Sequence, residues 1–223
     1  MSPSSVHSSS TAADSRQPID ALVLDYGEVL CRPAEPAAMA RLAAAAGLTG
    51  DAFNELYWRS REDYDRGLLD GPAYWARFGA TIGRTWTAPE VEALIAHDTA
   101  AWTVYDERMV AWVEQRIASG LKVALLSNMV KEIGAHLKAR FDVLSRFHHL
   151  TLSCEVKSVK PEPAIYRHVL DGLDVAPSRA LLIDDRPINI EGALAVGMPG
   201  IVFRGYDALL QEIDERFVLT PVR

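Results

Sequence analysis

The sequence is poor in cysteine. Its two thiols, Cys31 and Cys154, stand far apart. They make no metal-ligand spacing and no disulfide framework, and they read as free thiols in a reducing cytoplasm. The chain also lacks a basic block: 23 Lys and Arg stand against 30 Asp and Glu, for a net charge of −7. Binding along a phosphate backbone needs clustered cations, so no nucleic-acid partner is expected. No apolar run approaches the ~20 unbroken residues of a membrane span, and no membrane partner is expected. No internal repeat is present. Residues 1–18 are short of apolar side chains and rich in Ser, Ala and Thr, the composition of a disordered tail. They carry neither the basic start nor the apolar stretch of a secretory signal. A cytoplasmic protein is expected, as a monomer or a homodimer.

What is present is ample material for a core. With 223 residues, 49% hydrophobic and 24% charged, the chain suits one large domain or a core with a smaller appended module. It is organised around Ala21-Leu-Val-Leu-Asp25-Tyr-Gly27-Glu28-Val-Leu30. A short apolar run ended by a turn signal reads as a buried parallel strand. Ligands of open α/β sheets sit beyond the carboxyl ends of such strands, which puts Asp25 at a crevice. Gly27 is expected to let the backbone turn sharply there.

Residues 33–105 show helical rather than strand-like patterning. Ala37 to Ala46 is a strong helix former stopped by Gly47. Gly50-Asp51 opens a second helix with Phe53, Leu56 and Tyr57 on one face. Asp70-Gly71-Pro72 starts a third, through Tyr74, Trp75 and Phe78. Thr87-Ala-Pro-Glu90 is a capped helix start with Pro in the first turn. From Glu107 helices and strands alternate, with strands at 123–127, 149–152, 180–184 and 200–203 and helices at 109–119, 131–139, 163–172, 190–196 and 206–216. Such alternation predicts a parallel sheet with right-handed crossovers. The expected fold is α/β: a Rossmann-like doubly wound parallel sheet from residues 19–32 and 106–223. An all-helical cap at 33–105 interrupts it, placed to sit over the carboxyl edge as a lid.

Three of these strands end in polar residues at one edge: Asp25, Ser127-Asn128 and Asp184-Asp185. Lys160 falls between the last two, in Val159-Lys-Pro-Glu-Pro163. Carboxylates at two strand ends make a hard-oxygen site suited to Mg²⁺. A hydroxyl and an ammonium beside them suit a phosphate. The ammonium also neutralises carboxylates that otherwise repel. Together these describe metal-assisted phosphoryl transfer with an aspartate nucleophile.

Asp25-x-Gly27, Ser127, Lys160-Pro161 and Asp184-Asp185 also occur in the order and spacing of the haloacid-dehalogenase-like superfamily. The chain resembles that family over about residues 19–205. The Ser-Asn pair, the Lys-Pro-Glu-Pro-x-Ile-Tyr run and Asp-Asp-x3-Asn-Ile-Glu-Gly-Ala look most like its sugar-phosphate phosphatases and the phosphatase domain of bifunctional epoxide hydrolases. The resemblance implies a small phosphorylated substrate, with a sugar phosphate the best match. It implies Asp25 as nucleophile, Ser127 and Asn128 on the phosphoryl oxygens, and Lys160 paired with Asp25 and the phosphate. Mg²⁺ would be held by Asp25, the Gly27 carbonyl and Asp185. Asp184 would orient Lys160 or a water, and Asn189 would hydrogen-bond rather than ligate.

Gly27 departs from that pattern, because family phosphatases usually carry a second Asp there as general acid and base. Such catalysis is typically worth ~10²–10⁴ in rate. Its loss points to a slow enzyme, to a leaving group that needs little protonation, or to a replacement acid. Glu28 is adjacent, but its side chain is expected to point away. The competing class is a degenerate member that binds a phosphorylated ligand or a partner protein without turnover. A dehalogenase would need a tyrosine where Gly27 stands, and would lack the paired acids. Arg59, Arg61, Tyr64, Asp65 and Arg66 are expected on one cap helix as a solvated charged face. Trp58, Trp75, Trp86 and Trp102 are expected in the cap core, and His148-His149 are read as structural.

Overall fold

The computed structural model describes residues 15–221. The chain opens with β1 (Gln17–Ile19) and β2 (Ala21–Leu24), then leaves the sheet for five helices. These are α1 (Pro36–Ala46), α2 (Gly50–Arg59), α3 (Glu62–Asp65), α4 (Gly71–Thr81) and α5 (Ala88–Ala101). It returns through α6 (Glu107–Ala118) to β3 (Lys122–Ser127), α7 (Lys131–Arg140), β4 (His149–Leu152) and α8 (Ser153–Val156). The remainder is α9 (Pro163–Leu173), β5 (Ala180–Asp184), α10 (Pro187–Ala195), β6 (Gly200–Val202), α11 (Tyr206–Arg216) and β7 (Phe217–Leu219).

Five strands form one parallel sheet in the order β4-β3-β2-β5-β6. β2 is central and buried throughout, as an all-apolar strand covered on both faces must be. Its side chains alternate between two cores. Leu22 and Leu24 join Val123, Leu125, Leu181 and Ile183 on one face. Ala21 and Val23 join Ala124, Leu126 and Leu182 on the other, against α9 and α10. From β2 the chain steps outward to β3 and β4, then crosses back to β5 on the opposite flank. The connections therefore diverge between β2 and β5, which opens a crevice at their carboxyl ends.

The five inserted helices stand over this edge around their own aromatic core. Phe53 and Tyr57 stack with centroids 5.4 Å apart, and Tyr64 stacks on Tyr74 at 4.3 Å. Asp70 caps α4 through the amide of Ala73, and Thr87 and Glu90 form the capping box that starts α5. Side-chain bonds join the insert to the helices and loops around the sheet. Arg66 makes a two-pronged bond to Glu162 at 2.7 and 2.9 Å. Glu132 accepts from Tyr64 and from the amide of Gly71. Ser153 donates to the Asp65 carbonyl, and Lys157 to that of Gly67. Gly67 has φ 69°, and a Cβ there would lie 2.4 Å from the Cys154 carbonyl, so only glycine allows this approach.

The structure corrects the sequence reading in several places. Gln17 and Pro18 were expected in a disordered tail, yet β1 pairs in parallel with β7. Two short segments, Gln17-Pro-Ile19 and Phe217-Val-Leu219, must meet to make that pair, which neither pattern reveals alone. The rest of the expected tail, 1–14, lies outside the described residues. Arg59 to Arg66 do not share one helix: α2 ends at Arg59 and α3 begins at Glu62. The helix expected from Ile190 begins at Pro187, because proline's fixed φ suits a first turn. Among the described residues no helix is long and apolar enough to cross a membrane.

Candidate active site

The sheet register brings the expected polar residues together. Leu24 of β2 lies beside Ile183 of β5, so Asp25 emerges beside Asp184. The amide of Asp25 still donates to the Ile183 carbonyl at 2.9 Å. Lys160 reaches in from the loop before α9. Its Nζ lies 2.9 Å from Asp25 Oδ1, 2.6 Å from Asp184 Oδ2 and 3.0 Å from the Leu126 carbonyl. Asp184 is fully buried and is further held by Asn189 Nδ2, at 2.8 and 3.1 Å, and by the amide of Arg186. The early start of α10 puts Asn189 in the first turn, within this reach. Asn128 was expected on the phosphoryl oxygens. Its side chain is instead engaged at both ends by the backbone of Lys160, accepting from N at 2.7 Å and donating to O at 3.0 Å. It sets the position of Lys160. Ser127 ends β3 with its side chain in the same cavity.

The charges do not balance. Asp25, Asp184 and Asp185 each place a carboxylate oxygen within 4.8 Å of the others, against the one ammonium of Lys160. Burial pushes the Asp25 carboxyl up to about 7; Lys160 pulls it back and Asp184 adds to the rise. Burial also raises Asp185 to about 6, with Asp184 and Glu28 adding repulsion. Burial works against the Lys160 charge, yet Asp25 and Asp184 outweigh it and hold the ammonium above its usual range. Asn189 Oδ1 is buried beside this cluster without a hydrogen-bond partner. A hard divalent cation fits such a set, since it takes oxygen donors and cancels the excess negative charge.

The cluster forms the floor of a cavity of about 480 Å³. Its walls include Gly27, Glu28, Trp58, Arg61 and Trp102. Gly27 does not take a positive φ; Glu28 does, at 56°. The sharp turn belongs to Glu28, so the backbone does not require glycine at 27. A Cβ on Gly27 would meet only Trp102 Cζ3, at an ordinary 3.8 Å. Glu28 was expected to point away, but it lines the cavity and its charge is felt at Asp185. Arg61 was expected on a solvated face and is buried. It bonds Asp98 at 2.9 Å and Asp65 at 3.1 Å, and it also donates to the Tyr57 hydroxyl.

A family model of haloacid dehalogenase-like hydrolases matches residues 19–197. The chain belongs to that family. It is 33% identical over 91 residues to bifunctional epoxide hydrolase 2 of Rattus norvegicus, which covers 41% of this chain and 15% of that protein. It is 36% identical over 63 residues to flavin mononucleotide hydrolase 1 of Arabidopsis thaliana, covering 28% and 26%. The matched stretches thus span well under two thirds of these curated relatives. Phosphatases are among the other curated relatives. A haloacid dehalogenase family enzyme from Bacteroides thetaiotaomicron, solved with magnesium and inorganic phosphate, superposes with a TM-score of 0.70. It is 18% identical and the match covers 86% of this chain and 98% of that one; at that identity it speaks for the fold alone.

In this haloacid dehalogenase-like hydrolase, both cavity tryptophans were expected in the cap core; Trp102 packs against it and Trp58 does not. Trp75 packs in the insert's core as expected, while Trp58 is 54% exposed and lines the cavity with Trp102. The signal was available for Trp58. Phe53, Leu56 and Tyr57 take the buried face of α2, and the next residue is turned about 100° away from Tyr57. Trp102 follows the end of α5, where periodicity stops and gives no direction. Cys31 is buried, as a packing residue is. His148 accepts from the amide of Val123, which is a structural role.

Proposed function

We propose that this protein is a Mg²⁺-dependent phosphatase that hydrolyses a small phosphorylated metabolite through an aspartyl-phosphate. The observation that carries the reading is the buried contact of Lys160 with both Asp25 and Asp184 at the floor of a ligand-sized cavity. The Lys160 ammonium opposes the burial that raises the Asp25 carboxyl, favouring the carboxylate, and its bond to Oδ1 leaves the second oxygen for phosphorus. Mg²⁺ would be held by Asp25, the Gly27 carbonyl and Asp185, and it supplies charge to the phosphoryl oxygens. The magnesium and phosphate in the Bacteroides enzyme support that choice of ion.

The roles then follow from chemistry. The Asp25 carboxylate attacks phosphorus, and the ester oxygen leaves with the bonding electrons. Ser127 donates to a phosphoryl oxygen. Lys160 stabilises the charge that passes between Asp25 and the phosphate. Asp184, fixed by Asn189 and the Arg186 amide, holds Lys160 in place. Water then attacks phosphorus, and Asp25 is restored as inorganic phosphate departs. No acid side chain stands at position 27 to protonate the leaving group. The motifs alone favour a sugar phosphate, and the enzyme is read as cytoplasmic, a monomer or a homodimer. Gly27 favours a second reading, in which the site binds a phosphorylated ligand without turnover. The test is phosphate release with Mg²⁺ from a panel of acyl, aryl and sugar phosphates, beside Asp25→Asn. Release that Asp25→Asn abolishes supports the phosphatase. Release that survives it refutes the nucleophile, and silence across the panel favours the second reading.

A further inference from the structure

We propose that the ester this enzyme cleaves is an aryl phosphate, a phosphorylated phenol whose ring packs against Trp58 and Trp102. The proposal rests on the phosphatase reading and replaces its sugar with an aromatic leaving group.

Trp102 is the residue that covers position 27, where a general acid would otherwise stand. The residue is held through both its ring and its backbone. The indole Nε1 donates to the Tyr57 hydroxyl at 3.2 Å, and the Tyr26 hydroxyl donates to the Trp102 carbonyl. Tyr57 is itself anchored on Asp98 at 2.6 Å. Trp58 meets Trp102 edge-on, with centroids 5.9 Å apart and planes at 77°. More than half of Trp58 is uncovered. Ile188, 45% exposed, and Met129 and Ile133 extend the apolar lining. An aromatic guest gains from edge and face contacts with such rings beyond the area it buries.

The polar groups of the insert that reach the cavity are already committed. Arg61 is held by Asp98 and Asp65, and Glu62 is bonded to Arg66. A sugar's hydroxyls need free partners; the insert's donors and acceptors largely serve one another, which leaves Glu28 and Arg186 of the lining to meet hydroxyls. The missing acid points the same way. An alkoxide leaves only with a proton supplied, whereas a phenolate, like the tyrosine side chain with a pKa near about 10, leaves as the anion. Asp25 forms its bond to phosphorus as the aryl oxygen departs with the electron pair and is protonated by solvent. Water then adds to phosphorus, Asp25 leaves as carboxylate, and one proton passes to solvent.

The test uses the full chain with Mg²⁺ and two phosphonates that are not hydrolysed. Phenylphosphonate should bind about tenfold more tightly than methylphosphonate by calorimetry, the scale of about 1.4 kcal/mol for ring contacts. Trp58→Ala should cut that preference to about twofold, and Trp58→Phe should retain most of it. In turnover, kcat/KM should fall steadily across substituted phenyl phosphates as the leaving-group pKa rises, with glucose 6-phosphate far below them. Equal binding of the two phosphonates, or glucose 6-phosphate matching phenyl phosphate, overturns this proposal while leaving the phosphatase reading intact. Tight phenylphosphonate binding with no phosphate released from any ester overturns the phosphatase reading and this proposal with it.

Discussion

The sheet edge and the helical insert face each other across one cavity, and they handle charge in opposite ways. At the edge, three carboxylates share one ammonium, an excess of negative charge that a hard cation would offset. In the insert, Arg61 is matched by Asp98 and Asp65, Arg66 by Glu62 and Glu162, and Arg77 by Asp63. What the insert offers the cavity is ring surface. An excess of carboxylate around one ammonium is chemistry held ready on one wall; arginines each held by acids are structure on the other. Removing a charge should therefore cost activity at the edge and stability in the insert.

The largest effect is expected from Asp25→Asn. Loss of a nucleophile should lower phosphate release on the order of 10⁴-fold or more, with an unchanged melting transition or one shifted upward as repulsion is relieved. Lys160→Met sharpens the contrast. It should lower kcat by about 10²–10³-fold, on the scale of a lost preorganised charge. It also leaves Asp25 and Asp184 buried without their cation, so added Mg²⁺ should recover part of its thermal stability. On the other wall, Arg61→Met strands Asp98, and breaking such a buried pair costs about 3–5 kcal/mol. Chemical unfolding should report that loss, while the activity of the folded fraction on acetyl phosphate is expected to stay within about threefold, since the Arg61 guanidinium is engaged by Asp98, Asp65 and Tyr57.

Gly27→Asp tests whether the two walls cooperate. The backbone tolerates a side chain there and Trp102 leaves ordinary contact distance. An acid at 27 should raise turnover of alkyl phosphates by about 10²-fold and narrow the gap between aryl and alkyl esters. A folded variant with no gain would separate the glycine from the leaving-group preference.

The smallest effect concerns the tie between the walls. The Arg66 bond holds the Glu162 carboxyl down at about 2. A depressed carboxylate adds stability above its unfolded pKa, near about 4.3, and loses it as pH falls through the folded value. Thermal stability should therefore show a contribution that declines from about pH 4.3 to about pH 2. Glu162→Gln should remove that part of the slope. The pair is partly exposed, so salt should weaken it.

The edge was legible in the sequence because its chemistry is written in strand ends. An apolar run followed by Asp25, Ser127 or Asp184 fixes both the strand and the polar residue beyond it. Register then needs only parallel pairing to bring them together. The insert was legible as helices, through caps such as Asp70 and Thr87, but not as a wall. Helical patterning shows which residues are buried and not what the exposed ones face. Trp58 and Arg61 were misread for that reason. Their surroundings come from residues far along the chain, such as Asp98 beside Arg61. The β1–β7 pair was missed on the same ground, since its partners lie at opposite ends of the described chain. Glu28 is the harder case at the edge: its positive φ and its place on the cavity lining could not be read from its residue type.

The central claim is that Asp25 carries the phosphoryl group. Reduction with borohydride during turnover converts an aspartyl-phosphate to homoserine, which peptide mass spectrometry locates. With Mg²⁺ and phenyl phosphate, homoserine should appear at position 25 and nowhere else. Continued phosphate release with position 25 unmodified, or with the label on another residue, would contradict the account.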